Sequence, residues 1–161
     1  ATGGKSGSNV AIDLSANSSG VTLTQAAASA TATTMPSIVG DIRLGSGNDV
    51  LTVSAGAIAG NLSLGAGNDS IVLSGASSLT GNIAFGTGTN SLSLTGTSKV
   101  AGNVDFGGGA GTLTLGGTSS LTGAISNSGN VAVALNGGAL TASNTGSVVL
   151  ASLSASGTST L

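Results

Sequence analysis

The sequence predicts an all-β protein, a right-handed, single-stranded parallel β-helix with three sides and about 20–21 residues per coil. Three observations predict it. A glycine-led unit recurs at an almost constant interval, apolar residues fall in alternating pairs that align from unit to unit, and the composition leaves room only for a narrow core. Of 161 residues 29 are Gly, two are Phe and none is Trp or Tyr, so Leu, Ile, Val and Ala must fill the interior. A globule of this length normally buries aromatic material as well.

The units open at Gly40, Gly60, Gly81, Gly102 and Gly123, at intervals of 20, 21, 21 and 21 residues. Gly40 begins Gly-Asp-Ile-Arg-Leu-Gly-Ser-Gly-Asn-Asp and Gly60 begins Gly-Asn-Leu-Ser-Leu-Gly-Ala-Gly-Asn-Asp. Each unit reads as one coil. The whole chain, 1–161, is expected to be a single β-solenoid segment, most regular over 40–122, with 1–39 and 123–161 forming less regular coils or terminal tails.

Within a unit the apolar residues alternate, as in a strand with one buried face. The first column is Ile42/Leu44, Leu62/Leu64, Ile83/Phe85 and Val104/Phe106. The second is Leu51/Val53, Ile71/Leu73, Leu92/Leu94 and Leu113/Leu115, and a lone third follows at Ile58, Leu79, Val100 and Leu121. Three apolar faces per coil make a three-sided tube. Extended backwards, the register places Val21/Leu23 in the first column, Ala30/Ala32 in the second and Ile38 in the third, with Val10/Ile12 in the second column one coil earlier. Extended forwards, with slippage of a residue, it takes in Ile125, Val133/Leu135 and Leu140. The Ala/Thr-rich stretch from Gln25 to Pro36 is the least regular, and Pro36, lacking a backbone donor, belongs at a corner or a sheet edge.

Gly45-Ser46-Gly47, Gly65-Ala66-Gly67, Gly86-Thr87-Gly88 and Gly107-Gly108-Gly109 supply the corners, because glycine tolerates positive φ. Asp41, Asn61, Asn82 and Asn103 share a column beside the opening glycine. Stacked about 4.8 Å apart, their side chains are expected to hydrogen-bond to one another along the axis as a structural ladder. One coil alone buries too little to offset the ordering of its backbone, so coils are stable only in stacks.

Charge excludes several functions. Lys5, Arg43 and Lys99 stand against five Asp, for a net charge of −2, and three scattered cations offer no footprint for a phosphate backbone. Nucleic acid is excluded as a partner. The apolar runs are too short for a membrane span, so no membrane insertion by this segment is expected. With neither Cys nor His, thiol and imidazole chemistry are excluded.

Residues 60–75, Gly-Asn-Leu-Ser-Leu-Gly-Ala-Gly-Asn-Asp-Ser-Ile-Val-Leu-Ser-Gly, resemble the passenger repeats of bacterial autotransporters, the type V secreted proteins of Gram-negative envelopes. Residues 40–53 follow the same pattern, and the resemblance is sharpest over 40–122. It implies export to the extracellular side or cell surface, a β-helical stalk, and a role in adhesion, aggregation or display toward a host or bacterial surface ligand. No translocating barrel or aromatic-rich capping region follows residue 122, so the resemblance implies a segment of a longer passenger. The composition also admits a self-assembling extracellular fibre or surface-layer subunit.

Candidate chemistry is sparse. Gly45-Ser46-Gly47-Asn48-Asp49 and Gly65-Ala66-Gly67-Asn68-Asp69 resemble half of the repeat of calcium-binding toxin solenoids, which makes Asp49 and Asp69 weak calcium candidates. The doubled glycine is missing, however, the period is not a multiple of nine, and the column continues as Asn90 and Gly111. The expectation is therefore no cofactor, with both carboxylates bonding neighbouring backbone amides. Their spacing of about 5 Å would suit a retaining glycosidase, but it follows from the repeat, and no aromatic platform or basic partner accompanies it. No catalytic residue is assigned and no enzymatic activity is expected. The outward column Thr52, Val72, Ser93, Thr114 and Ala134 is too broken for an ice-ordering threonine ladder. Uncovered first and last coils are expected to favour head-to-tail self-association.

Overall fold

A computed structural model describes residues 9–29 and 31–161. The described residues form short strands and turns, and the strands stack in parallel into three sheets. The chain is a three-sided parallel β-helix of about six turns. Val10–Asp13, Asp41–Arg43, Leu62–Ser63, Ile83–Ala84, Val104–Asp105 and Ile125–Ser126 make the first sheet. Thr22–Gln25, Val50–Val53, Ser70–Leu73, Asn90–Leu94, Gly111–Gly116, Val131–Asn136 and Ser152–Ser156 make the second. Ser37–Val39, Ala57–Ala59, Ser78–Thr80, Lys99–Ala101, Ser120–Gly123 and Ala139–Ala142 make the third.

The inward side chains form one continuous core from Ile42 to Leu140. Each apolar column meets its equivalent one coil on: Leu51 pairs with Ile71, Ile71 with Leu92, and Leu92 with Leu113. Phe85 and Phe106, the two aromatic residues of the sequence, stack on successive coils with centroids 5.3 Å apart and planes 19° from parallel. Offset stacking of this kind adds to plain burial. At the corners the coils approach so closely that a Cβ on Gly86, whose φ is +83°, would lie 1.8 Å from the Gly65 carbonyl oxygen. Only glycine satisfies both the positive φ and that separation.

The N-terminal register differs from the sequence reading. Ile12 lies opposite Ile42, in the first column and not the second. Leu23 lies opposite Leu51, in the second column and not the first. Ile38 holds its third-column place opposite Ile58. The first coil is longer than the rest, because the chain between Thr22–Gln25 and Ser37–Val39 loops out of the wall before rejoining it. Counting back a uniform period through that loop moved each pair to the wrong side. Ala32 lies in the loop, Ala30 lies outside the described residues, and Pro36 immediately precedes the third-sheet strand, at a corner.

Forward of the regular coils, Ile125 pairs with Val104, Val133 and Leu135 with Leu113 and Leu115, and Leu140 with Leu121, all in their expected columns. A partial further coil follows. Val148 and Leu150 pack half-buried on the core, Ser152–Ser156 pairs with Val131–Asn136, and Thr160 bridges Ala139. On the first sheet a single side chain replaces the missing strand. Asn144 Oδ1 accepts the Ile125 N–H at 2.9 Å and its Nδ2 donates to the Ile125 carbonyl at 2.8 Å.

Candidate functional site

The polar residues form axial ladders. The column Asp41, Asn61, Asn82 and Asn103 is a ladder in which each side-chain Oδ1 accepts the backbone N–H one coil on: Asn61, Asn82, Asn103 and Ala124 donate at 2.9 Å. The expected contact between side chains occurs once, where Asn61 Nδ2 donates to Asp41 Oδ1 at 3.1 Å. These four corner amides are satisfied by side-chain oxygens and not by backbone carbonyls.

A second ladder runs inside the wall and in the opposite sense. Asp49 Oδ1 accepts the Val21 N–H at 2.7 Å, Asp69 Oδ1 accepts the Asp49 N–H at 2.9 Å, and Asn90 Oδ1 accepts the Asp69 N–H at 3.0 Å. Asp49 and Asp69 are each 1 % exposed. Their second oxygens, Oδ2, are buried and have no hydrogen-bond partner. Burial raises the Asp69 carboxyl above its ordinary value; the Asp49 N–H opposes that shift and the neighbouring Asp49 carboxylate reinforces it. Enclosed in this way, the pair is out of reach of a polymeric substrate. Among the described residues no group of three acidic, His or Cys side chains converges to hold a metal.

Two further ladders escaped the sequence reading. Asn48 Oδ1 accepts the Asn68 N–H and Asn68 Oδ1 accepts the Thr89 N–H, both at 2.8 Å. Ser77, Ser98 and Ser119 form a buried hydroxyl column at the next corner, where Ser98 donates to the Leu73 carbonyl at 3.3 Å and Ser119 to the Leu94 carbonyl at 3.2 Å. The Ser repeated two residues before Leu79, Val100 and Leu121 is the available signal.

Among the described residues, charge on the outside is confined. Asp13, Asp41, Arg43 and Asp105 sit on the outer face of the first sheet and Lys99 on that of the third. Arg43 and Asp41 approach to only 3.9 Å with the guanidinium exposed, a contact of little energetic weight. The second sheet's outer face carries small uncharged side chains, and Thr52, Val72, Ser93, Thr114 and Ala134 align there in register. Beside the first-coil loop, Met35 and Val39 are 56 % and 70 % exposed, and Met35 lines a shallow groove with Ala27, Pro36, Ala55 and Ala57 along that corner. Compared with known proteins, the chain matches no family model, no curated protein and no solved structure.

Proposed function

We propose that this chain is a structural scaffold, a β-helical stalk carried on the surface of a Gram-negative bacterium or released from it, which holds adhesive or aggregating parts away from the envelope. The observation that carries the reading is the continuous core from Ile42 to Leu140, through coils whose corner polar groups are tied to their neighbours by side-chain ladders. The polar residues brought together are occupied in holding coil to coil, and the carboxylate pair is enclosed. Length and stiffness are what such a molecule delivers. The likeness of residues 40–75 to autotransporter passenger repeats supports the envelope location, and the scarcity of Lys and Arg argues against a nucleic-acid partner.

The test is to add protease to intact cells that express the protein. A surface stalk is cleaved or released without lysis, whereas protection until the envelope is broken would overturn the reading.

A further inference from the structure

We propose that the Asn136-Gly137 junction is a site of self-modification, where the chain closes an imide and loses ammonia, and that pairing with the coil that follows holds this reaction shut. It is the one Asn-Gly pair in the sequence. Every other Asn is followed by a residue with a Cβ, which crowds the nitrogen that must attack, whereas glycine leaves it open. In the reaction the Gly137 backbone nitrogen gives up its proton to base and bonds to the Asn136 side-chain carbonyl carbon. Nδ2 takes up a proton and leaves as ammonia. Water then opens the imide, at the side-chain carbonyl to give an aspartyl residue or at the main-chain carbonyl to give an isoaspartyl residue, whose backbone is longer by one carbon.

The fold places three obstacles in the way. The Gly137 N–H donates to the Ser156 carbonyl at 3.0 Å and to Ser159 Oγ at 2.9 Å, so two acceptors hold the proton that must leave. Asn136 Oδ1 accepts from Ser156 Oγ at 3.1 Å, which ties the side chain to the following coil. Asn136 also ends the strand Val131–Asn136, and its extended backbone must rotate before the side-chain carbon can meet the next nitrogen. Ser156 lies opposite Asn136 in the pairing with Ser152–Ser156, so one stretch of chain supplies the contacts that block the reaction. The Asn136 side chain is itself exposed, and water and base reach it once that stretch lifts. Local opening therefore sets the rate.

Conversion runs one way. An isoaspartyl residue adds a main-chain carbon where the wall strand turns into the Gly137 corner, and either product puts a carboxylate where the Ser156 hydroxyl met an amide. The stretch that lifted does not regain its register. The inference goes beyond the scaffold reading and does not depend on the envelope location.

The 161-residue chain, folded and in urea at one mildly alkaline pH, provides the test. Peptide mapping by mass spectrometry reads the amide-to-acid mass gain at each Asn, and enzymatic methylation reads isoaspartate. In urea Asn136 should convert before any other Asn. In the folded chain it should convert more slowly by about tenfold or more. Ser159→Ala, which removes one of the two acceptors, should fall between these rates, and Ser159→Thr, which keeps the hydroxyl, should restore the parent rate. Circular dichroism verifies that both variants fold, and the comparison of folded and unfolded parent needs neither. Converted chains should be cut by protease faster within 152–160 than unconverted ones. Equal rates in the folded and unfolded parent, another Asn converting first in urea, or a folded Ser159→Ala chain with the parent's rate would overturn the proposal.

Discussion

Asp49 donates its backbone N–H to Oδ1 of Asp69, one coil on, at 2.9 Å. A neutral acceptor would serve this bond as well, and Asn90 does so for Asp69 at 3.0 Å in the same column. The carboxylates thus sit in a place that asks for an oxygen and not for a charge, and their second oxygens are left without partners.

The first prediction concerns pH. Burial raises the Asp69 carboxyl above its ordinary 3.8, so the folded state holds the proton over a pH range in which the unfolded chain has lost it. The contribution of Asp69 to stability is therefore fully present below 3.8 and is lost as pH climbs through the raised value. Asp69→Asn should flatten that part of the curve and melt no lower than the unmodified protein at neutral pH. Thermal melts across pH check this, and a slope unchanged by the substitution would refute it.

Metal should matter little to the fold. Asp49 and Asp69 each commit one oxygen to a backbone N–H, and such enclosed carboxylates offer a cation few ligands. We expect calorimetry in calcium and in chelator to give coincident transitions. A calcium-dependent rise in melting temperature that disappears in the Asp49→Asn, Asp69→Asn double variant would instead establish a calcium solenoid.

Leu73 is fully buried while Thr52 and Ser93 face outward on the same sheet. Leu73→Asp should cost more than about 4 kcal/mol and abolish cooperative unfolding, because the charge has no partner inside the tube. Thr52→Asp and Ser93→Asp should each stay within about 1 kcal/mol of the parent. Denaturant titration ranks the three.

Gly111 and Phe106 share a space. A Cβ on Gly111 would lie 2.9 Å from the Asn90 carbonyl oxygen and 3.2 Å from the Phe106 ring. Gly111→Ala should therefore destabilise by about 1–3 kcal/mol through overpacking. Adding Phe106→Leu should recover part of that loss, a non-additivity of about 0.5–3 kcal/mol readable in a double-mutant cycle.

Glycines should divide sharply. Gly86→Ala forces a Cβ to within 1.8 Å of the Gly65 carbonyl at positive φ and should prevent native folding. Gly129 has nothing within 4 Å of an added Cβ, and Gly129→Ala should be neutral or stabilise by up to about 1 kcal/mol. Expression and melting of the two variants side by side provide the measurement.

The fold was legible because a stacked coil repeats its own constraints: Leu51, Ile71, Leu92 and Leu113 occupy one place, and four instances of one place are a pattern. Where the chain leaves that pattern, legibility stops. The loop before Pro36 has no counterpart in other coils, so nothing in the sequence measures its length, and a uniform period carries the pairs Val10/Ile12 and Val21/Leu23 to each other's side. The alignment of the ladder residues Asp41, Asn61, Asn82 and Asn103 is visible in the sequence, but their bonding is not. Period alone cannot distinguish a side chain that reaches its own kind from one that reaches a backbone amide. The burial of Asp49 and Asp69 was hidden for a related reason, since a carboxylate in a glycine-rich turn reads as exposed.

The uniform stacking of coils makes the molecule a ruler. Each repeat of 20 or 21 residues advances the axis by one strand spacing, about 4.8 Å, whatever the residues on its outer faces. Gain or loss of one whole repeat restores every column and changes only the reach of the tip. Gain or loss of a single residue within a wall strand turns an apolar pair outward. A gene of this design can adjust how far its product extends in even steps, without redesigning the core.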